Sequence, residues 1–337
     1  MLRKGTVAGL ILAVMAALWV APSFAAEIPG WPKFDKEGPV GLTAAGKQVP
    51  PRFFGDVDGN GKTDCVVVKG AGVAVFERND DGTWTETAQM VHPTGTAGVS
   101  SIAVADTDGD GRQEIFFGTA HGSENNCRVY VFEHKEKKTF AHVGGMGPYA
   151  NSSVVRCIKA VDADLDGKPE IAVTHAYGRE SYVKLYSARE NDKWTEVWKA
   201  KITEEDDKGF RYPNTVTVAD LDNDKMPEIY VAVQHYDPEA KKCHGWLYAY
   251  EMDGEPGRYR YERIWRSDDM EAYVSNVRVV REKQSGKIYA AAQVDLSMPP
   301  SSPACWALFG SSEKNAYSLA GIKTVKEFNG LYEECGR

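Results

Sequence analysis

Short runs of β-branched and aromatic residues alternate with polar segments along most of the chain from about residue 50 onward. Ile115-Phe116-Phe117 and Ile171-Ala172-Val173 are typical of these runs, and Asp-, Asn- and Gly-rich segments separate them from their neighbours. Runs of this length and composition are typical of β-strands bounded by turns. Four runs recur in each stretch of 50 to 60 residues, so the pattern predicts a chain built from repeated four-stranded units.

Four antiparallel strands in a unit of this length are typical of a β-propeller blade. We therefore predict an all-β fold, a β-propeller in a single domain over residues 26–337, and the count of units favours five blades over six or seven. The predicted blades span roughly residues 50–91, 100–146, 153–203, 214–268 and 275–325. The segment 27–49 offers a closing strand or a sixth partial blade, and its three prolines indicate an edge or an irregular cover.

An acidic loop recurs between the first and second strands of four units. Its first positions are residues 56, 106, 162 and 220, and oxygen-bearing side chains stand at positions 1, 3, 5 and 9. The candidate ligands are Asp56, Asp58, Asn60 and Asp64; Asp106, Asp108, Asp110 and Glu114; Asp162, Asp164, Asp166 and Glu170; and Asp220, Asp222, Asp224 and Glu228. The fifth unit has Arg281 to Gly286 at this place, without a usable ligand set, so we expect that blade to lack a cation.

Carboxylates this close together repel one another and resist desolvation, so a packed core does not favour them. A hard divalent cation favours such a cluster, because Ca²⁺ takes several carboxylate and carbonyl oxygens as ligands. An EF-hand is excluded, since it needs a bidentate Glu at position 12 and flanking helices, whereas position 12 here is Val67, Phe117, Val173 or Val231. The sequence predicts up to four structural Ca²⁺ ions, each fastening the turn between two strands.

The pattern Asp-x-Asp-x-Asp/Asn-Gly-x-x-Asp/Glu between strands resembles that of FG-GAP/VCBS repeat proteins, whose relatives include the integrin α-subunit propeller. The resemblance covers roughly residues 50–325 and implies a propeller whose loops bind calcium within each blade. This chain departs from the family in two loops: Asn60 removes one charge from the first, and Lys225 replaces Gly at position 6 of the fourth. A non-Gly residue there stands where φ is expected to be positive. We therefore expect the first and fourth sites to be the weaker ones.

Functional residues are expected on the face opposite the acidic loops, where the loops are longer and more varied. The candidate ligand-binding residues there are His121, His175, His235, Tyr212, Tyr273, Arg156 and Asn214. Imidazole, phenol, amide and guanidinium groups on one rim are suited to a polar ligand such as a sugar or a peptide. The alternative is that the histidines were copied with the repeat and serve only local hydrogen bonds.

The N-terminus has the pattern of a secretory signal peptide over residues 1–25. Arg3 and Lys4 precede an apolar run from Val7 to Val20, and Ser23-Phe24-Ala25 provides small residues for cleavage. Removal of Arg3 and Lys4 changes the formal net charge from −8 to −10. This acidity argues against nucleic acid as a partner and suits a chain that carries cations. We expect an exported protein, periplasmic or extracellular, that does not insert into a membrane after cleavage.

Six cysteines, an even number in a chain expected to be exported, allow up to three disulfides, but sequence does not select among the 15 pairings of six thiols. They are Cys65, Cys127, Cys157, Cys243, Cys305 and Cys335. Burial as small apolar side chains is the competing interpretation.

The sequence contains no Gly-x-Ser-x-Gly, no His-Glu-x-x-His and no glycine-rich phosphate loop, so it assigns no catalytic residue. The leading hypothesis is a calcium-stabilised binding or scaffold module for a protein or a polysaccharide. The alternatives are an enzyme acting on polysaccharide, a lyase or hydrolase using the face opposite the calcium loops, and a subunit of a larger envelope complex.

Overall fold

The computed structural model describes residues 52–93, 98–120, 127–136, 138–149, 154–176, 181–202, 211–237, 239–252, 259–295 and 305–334. The predicted signal peptide, the segment 27–49, His121 and Cys335 lie outside these residues.

Within them, the chain is a succession of four-stranded antiparallel units, and the predicted all-β propeller is confirmed. Blade 1 consists of β1 (Arg52–Gly55), β2 (Asp64–Lys69), β3 (Gly72–Arg78) and β4 (Trp84–Val91). Blade 2 consists of β5 (Gly98–Ala105), β6 (Glu114–Ala120), β7 (Val129–Glu136) and β8 (Thr139–Met146). Blade 3 consists of β9 (Val154–Val161), β10 (Glu170–Ala176), β11 (Tyr182–Glu190) and β12 (Lys193–Lys201).

Blade 4 consists of β13 (Arg211–Ala219), β14 (Glu228–Asp237), β15 (Lys242–Met252) and β16 (Tyr261–Arg266). Blade 5 consists of β17 (Tyr273–Glu282), β18 (Ile288–Asp295), β19 (Cys305–Glu313) and β20 (Ala316–Lys323). A short helix α1 (Val325–Leu331) and a last strand β21 (Tyr332–Glu334) follow, and β21 pairs with β17. This fifth strand of blade 5 is not evident in the sequence pattern.

The core lies between the blades. The second and third strands of each unit are almost continuously buried, whereas the fourth strands alternate between exposed and half-buried residues. Separate apolar clusters fill the junctions between blades 1 and 2, 2 and 3, 3 and 4, and 4 and 5. At the far side of blade 5, α1 supplies the cover, where Phe328 stacks on Trp306 with 4.5 Å between ring centroids. A sheet covered on both faces needs apolar residues at successive positions, and this is the pattern of the middle strands.

A β-bulge recurs at one place in the first strand of blades 2 to 5. The extra residues are Ser100, Arg156, the Asn214–Thr215 pair and Ser275. Ser100, Arg156 and Asn214 each stand six positions before an acidic loop. A bulge turns a side chain away from the regular alternation of the strand. The first strands of neighbouring blades lie side by side, so these bulges meet along the junctions between blades.

The residue five positions before an acidic loop joins blade 2 to blade 3 and blade 4 to blade 5. Ser101 Oγ accepts a hydrogen bond from the backbone N–H of Ile158 at 2.9 Å, and Thr215 Oγ1 accepts one from Val277 at 2.8 Å. Ser101 and Thr215 hold the same repeat position, and so do Ile158 and Val277. These bonds connect backbone donors of one blade to side-chain acceptors of its neighbour and so stabilise the junctions between blades.

Cys157, Cys243 and Cys305 are free thiols, so the described chain does not form the three-disulfide framework that the sequence allows. Burial raises the pKa of Cys305 to about 11, so this thiol stays protonated and unreactive. Among the described residues, no helix is long and apolar enough to cross a lipid bilayer.

Candidate functional site

The acidic loops connect the first and second strands of blades 1 to 4, as predicted. In two of them, one oxygen from each of four acids lies within 4.8 Å of the others: Asp106, Asp108, Asp110 and Glu114, and Asp220, Asp222, Asp224 and Glu228. Three acids meet this condition in the other two: Asp56, Asp58 and Asp64, and Asp162, Asp164 and Glu170. Asn60 provides an amide oxygen at position 5 of the first loop, whereas Asp166 is not among the gathered acids of the third.

Each loop is closed by hydrogen bonds from its own backbone. The first aspartate accepts from N–H groups further along the loop: Asp106 accepts from Gly109 and Gly111 at 2.8 and 2.9 Å. Asp56 and Asp220 accept in the same manner from residues four and five positions later. The third and fifth positions accept from the residues two places after them in the second, third and fourth loops. The loop backbone thus positions the first, third and fifth side chains locally.

The acid at position 9 begins the second strand and is buried in all four blades. One of its oxygens accepts a hydrogen bond from the backbone N–H at position 2, with distances of 2.9, 2.8, 3.0 and 3.0 Å for Asp64, Glu114, Glu170 and Glu228. The second oxygens of Asp64, Glu114 and Glu228 are buried and have no hydrogen-bond donor among the described residues. A buried carboxylate oxygen without a donor is costly. A cation at the loop centre would satisfy it, so these three loops fit Ca²⁺.

The third loop differs, because both oxygens of its position-9 acid are engaged. Glu170 Oε2 accepts from Ala163, and Oε1 accepts from the hydroxyl of Tyr259 at 2.9 Å. Tyr259 precedes the last strand of blade 4, so this contact crosses a blade junction. Weaker sites in loops 1 and 4 remain a prediction from the sequence, which did not identify Tyr259.

Burial raises the pKa of every position-9 acid. The pKa is about 6 for Asp64, about 8 for Glu114, about 7 for Glu170 and about 8 for Glu228, and in each case burial is the largest cause. Neighbouring loop aspartates raise these pKa values further, whereas the hydrogen bond from position 2 opposes the shift. Without a cation, Glu114 and Glu228 therefore retain a proton at neutral pH, whereas Asp64 is mostly ionised there. A divalent ion would favour the ionised form and displace that proton.

Two positions in each loop have left-handed backbone conformations. Position 6 has φ of 83° at Gly61 and 87° at both Gly111 and Gly167, and the predicted non-Gly departure is real, since Lys225 has φ of 71°. Position 4 is left-handed as well, with φ of 59° at Leu165 and 60° at Asn223. Leu165 is 54% exposed, so burial of its side chain offsets little of the strain of this conformation.

The turn between the third and fourth strands of the next blade covers the acidic loop. The backbone N–H of Asn315 donates to Asp222 Oδ2 at 2.8 Å, and that of Asp192 donates to Asp108 Oδ2 at 3.3 Å. Trp194 Nε1 donates to Thr107 Oγ1 at 2.9 Å beside the second loop. Each loop is therefore part of a blade junction. In the sequence, these contacts correspond only to a polar residue at the tip of the next blade's hairpin. Their role becomes clear once adjacent blades are placed together.

Acids on the third strands do not extend the cation sites. Glu77, Glu133 and Glu251 stand opposite the position-9 acids of blades 1, 2 and 4. Each is met by a lysine: Lys138 at 3.1 Å from Glu77, Lys135 at Glu133, and Lys314 at 3.4 Å from Glu251. These ion pairs neutralise the acids of the third strands, and Lys314 also lies 2.6 Å from the loop carboxylate of Asp224.

On the opposite side of the blades, the structure brings together four of the candidate ligand-binding residues. Arg156 Nη1 donates to Asn214 Oδ1 at 3.1 Å, and its guanidinium carbon lies 5.2 Å from the centre of the Tyr212 ring. The Tyr273 hydroxyl accepts from Gln234 Nε2 at 2.8 Å, and Gln234 Oε1 accepts from Asn214. One network thus links the first strands of blades 3, 4 and 5. Gln234 is its fifth member, which sequence reasoning missed.

The described histidines have other surroundings. The buried His175 ring stacks between Tyr149 and Tyr182, with centroid distances of 4.4 and 5.5 Å. Burial lowers its pKa to about 3, so it is neutral at physiological pH. His235 stacks on His244 at 5.8 Å. His175 and His235 thus belong to separate aromatic clusters, and this placement gives no support to a common catalytic site built on them.

Comparison with known proteins agrees with the loop pattern. A family model described as FG-GAP-like repeat matches residues 56–117 and 162–231. Each matched segment contains two of the acidic loops. No curated protein matches the chain. Among solved structures, a periplasmic gluconolactonase of Pseudomonas aeruginosa is similar with a TM-score of 0.48 and 11% identity, over 80% of this chain and 69% of that one. These two segments are FG-GAP-like repeats, as the resemblance implied.

Proposed function

We propose that this propeller of FG-GAP-like repeats is an exported binding or scaffold module stabilised by calcium in its acidic loops. The observation that carries the proposal is the convergence of carboxylate oxygens within 4.8 Å in all four loops, together with the buried oxygens of Asp64, Glu114 and Glu228 that lack donors. Oxygen ligands of this number and charge match the preference of Ca²⁺. The predicted signal sequence supports export.

The ions would have a structural role. Each loop joins two strands of one blade and is covered by the next blade, so a cation there would stabilise both a turn and a junction. Binding restricted to the folded state stabilises it by about 2.7 kcal/mol per site when free calcium exceeds the dissociation constant a hundredfold. Lys225 and Leu165 occupy left-handed positions in loops 4 and 3, and this strain would weaken those loops relative to loop 2.

We place the binding surface on the face opposite these loops. Support comes from the cluster of Arg156, Tyr212, Asn214 and Tyr273, since aromatic rings combined with a few polar groups are common in ligand sites. A protein or a polysaccharide is the partner class we propose. The net charge of −8 and the acidic loops make nucleic acid an unsuitable partner.

Thermal melting in calcium and in chelator tests the stabilising role. We expect the midpoint to rise by several degrees or more in calcium, because a gain of a few kcal/mol shifts a protein of this size by about that much. Magnesium at equal concentration should give a smaller shift, since it favours six-coordinate sites that retain water. Identical melting curves in calcium and in chelator would refute the proposal.

A further inference from the structure

The guanidinium of Arg156 stands in an unusual environment for a charged group. Arg156 is the bulged residue of β9, with Tyr212 on β13 beside it, and the Tyr273 hydroxyl on β17 contributes to its electrostatic surroundings. Burial lowers the pKa of the guanidinium, and Tyr273 and Tyr212 partly oppose this effect. The side chain is partly buried, and its guanidinium is a cation at the meeting point of three blades.

No carboxylate among the described residues pairs with Arg156. Its one hydrogen bond in this part of the chain goes to the neutral amide oxygen of Asn214, and its Nε is buried without an acceptor. Other lysines and arginines of this chain, such as Lys135 and Arg112 at Glu133, have acidic partners. Buried charges in proteins are normally paired, and an uncompensated one reduces stability. A cationic side chain in this condition is suited to receive an anion from outside.

The neighbours of Arg156 are hydrogen-bonding groups with capacity left over. Gln234 donates to the Tyr273 oxygen at 2.8 Å, which leaves the phenolic proton of Tyr273 available for an acceptor. Burial raises the pKa of Tyr273 and that of Tyr212, so both phenols remain donors at neutral pH. One fixed positive charge with neutral donors around it matches a monoanion better than a doubly charged phosphate.

We propose that Arg156, Tyr212 and Tyr273 form a binding site for the carboxylate group of a ligand, on the face opposite the acidic loops. The guanidinium fork would bind the two carboxylate oxygens, and the Tyr273 hydroxyl would donate to one of them. This inference rests on the proposed binding face and specifies the chemistry that it recognises.

Ligand-observed NMR and calorimetry on the full-length mature protein in saturating calcium test the site. D-glucuronate and N-acetylglycine represent the two sources of a carboxylate, a sugar acid and a peptide terminus, and their neutral counterparts are D-glucose and N-acetylglycinamide. We expect at least one carboxylate to bind with a dissociation constant of about 1 mM or lower, and its neutral counterpart to bind at least about tenfold more weakly. Whichever carboxylate binds more tightly identifies the source.

Arg156→Gln should weaken that binding at least about tenfold, because it removes the charge and retains a donor toward Asn214. Its matched control is Lys159→Gln on the same strand, which removes a cation whose Nζ donates to Thr217 instead. The control should leave carboxylate affinity unchanged within about twofold. Tyr273→Phe should weaken binding with little change in melting temperature.

Absence of carboxylate binding up to about 50 mM, equal binding of the neutral counterparts, or undiminished binding by Arg156→Gln would each overturn the site. Sulfate that competes as well as the carboxylate would overturn its selectivity. Calcium-dependent melting is measured on the same samples. If it persists while carboxylates fail to bind, this inference is wrong and the calcium-stabilised propeller stands.

Discussion

Glu114 and Thr107 are bound to each other by two hydrogen bonds across the second acidic loop. Glu114 Oε2 accepts from the backbone N–H of Thr107 at 2.8 Å and from its hydroxyl at 2.7 Å. The other oxygen, Oε1, is buried and lacks a donor among the described residues. The loop thus holds the carboxylate in one orientation and leaves one oxygen for a cation, which is how a position at the start of a buried strand can serve an ion.

Glu114→Gln tests this arrangement. The amide oxygen can still accept from Thr107, but the group turned toward the loop becomes a donor that repels a cation. We expect one calcium fewer per chain and a loss of about 2.7 kcal/mol of the stabilisation observed at hundredfold excess calcium. In chelator the variant should be no less stable than the parent. Isothermal titration and calcium-dependent melting measure both effects.

Glu133→Gln is the matched control for Glu114→Gln. Glu133 is buried on the facing strand but is neutralised by Lys135 and Arg112. Its replacement should preserve the calcium stoichiometry. Loss of one calcium from Glu133→Gln, or no loss from Glu114→Gln, would contradict the assignment of the ligands.

The position-9 acids predict how the metal-free protein responds to pH. Their folded pKa values of about 6 to 8 exceed the ordinary pKa of a carboxyl. The folded state therefore binds more protons than the unfolded state at any pH between the ordinary and the folded values. The contribution of these groups to stability in chelator should therefore be fully present below the ordinary carboxyl pKa of about 4, should fall as pH rises above it, and should be lost once pH exceeds the folded values of about 6 to 8. Urea unfolding in chelator at pH 5.5 and 8.5 measures the change.

Saturating calcium should reverse this trend. The ion favours the ionised carboxylates, so its affinity should increase with pH over the same interval, with protons released on binding. Titration in two buffers of different ionisation enthalpy detects the released protons. Stability in chelator that increases from pH 5.5 to 8.5 would be at odds with buried position-9 acids.

Replacement of Leu165 or Lys225 by glycine should increase the free energy of unfolding. Both have positive φ, at 59° and 71°, and Leu165 is largely exposed. Leu165→Gly and Lys225→Gly should each stabilise the protein by about 0.5 to 1 kcal/mol, because relief of the left-handed strain exceeds the added entropy of the unfolded chain. Leu165→Ala is the control and should give no gain, since alanine retains the Cβ. Chemical unfolding that ranks alanine equal to glycine would exclude strain as the cause.

The hydrogen bond from Val277 to Thr215 predicts how the blades are joined. Thr215→Val has nearly the same shape but leaves the buried backbone N–H of Val277 without an acceptor, at a cost of about 1 to 3 kcal/mol. Thr215→Ser keeps the acceptor and should cost less. Equal losses in the two variants would indicate that packing, and not the hydrogen bond, stabilises the junction between blades 4 and 5.

Much of this fold follows from one chain without other information. Strands such as Ile115–Phe117 and Ile171–Val173 are marked by composition. The four loops beginning at Asp56, Asp106, Asp162 and Asp220 are marked by closely spaced acidic residues. The spacing of these loops supplies the repeat, and four strands per repeat supply the propeller. These features are local in sequence, so they are readable from it.

The features that sequence did not predict arise from contacts between repeats. Asn315 and Tyr259 serve loops of the preceding blade, about 90 residues away in the chain. The pairing of β21 with β17, and the packing of Phe328 on Trp306, depend on where the C-terminal segment returns to blade 5. His175 illustrates the same limit, since a loop histidine was expected at a rim and the ring is instead buried between two tyrosines.

Calcium stoichiometry is the most direct test of the central claim that the acidic loops are structural cation sites. The chelator-stripped mature protein would be titrated with calcium in a calorimeter, and its melting temperature would be followed at each step. We expect saturable binding of up to four calcium ions per chain, with the melting temperature rising until the last site is filled. A titration that detects no calcium binding, or binding that leaves the melting temperature unchanged, would contradict a structural role for these loops.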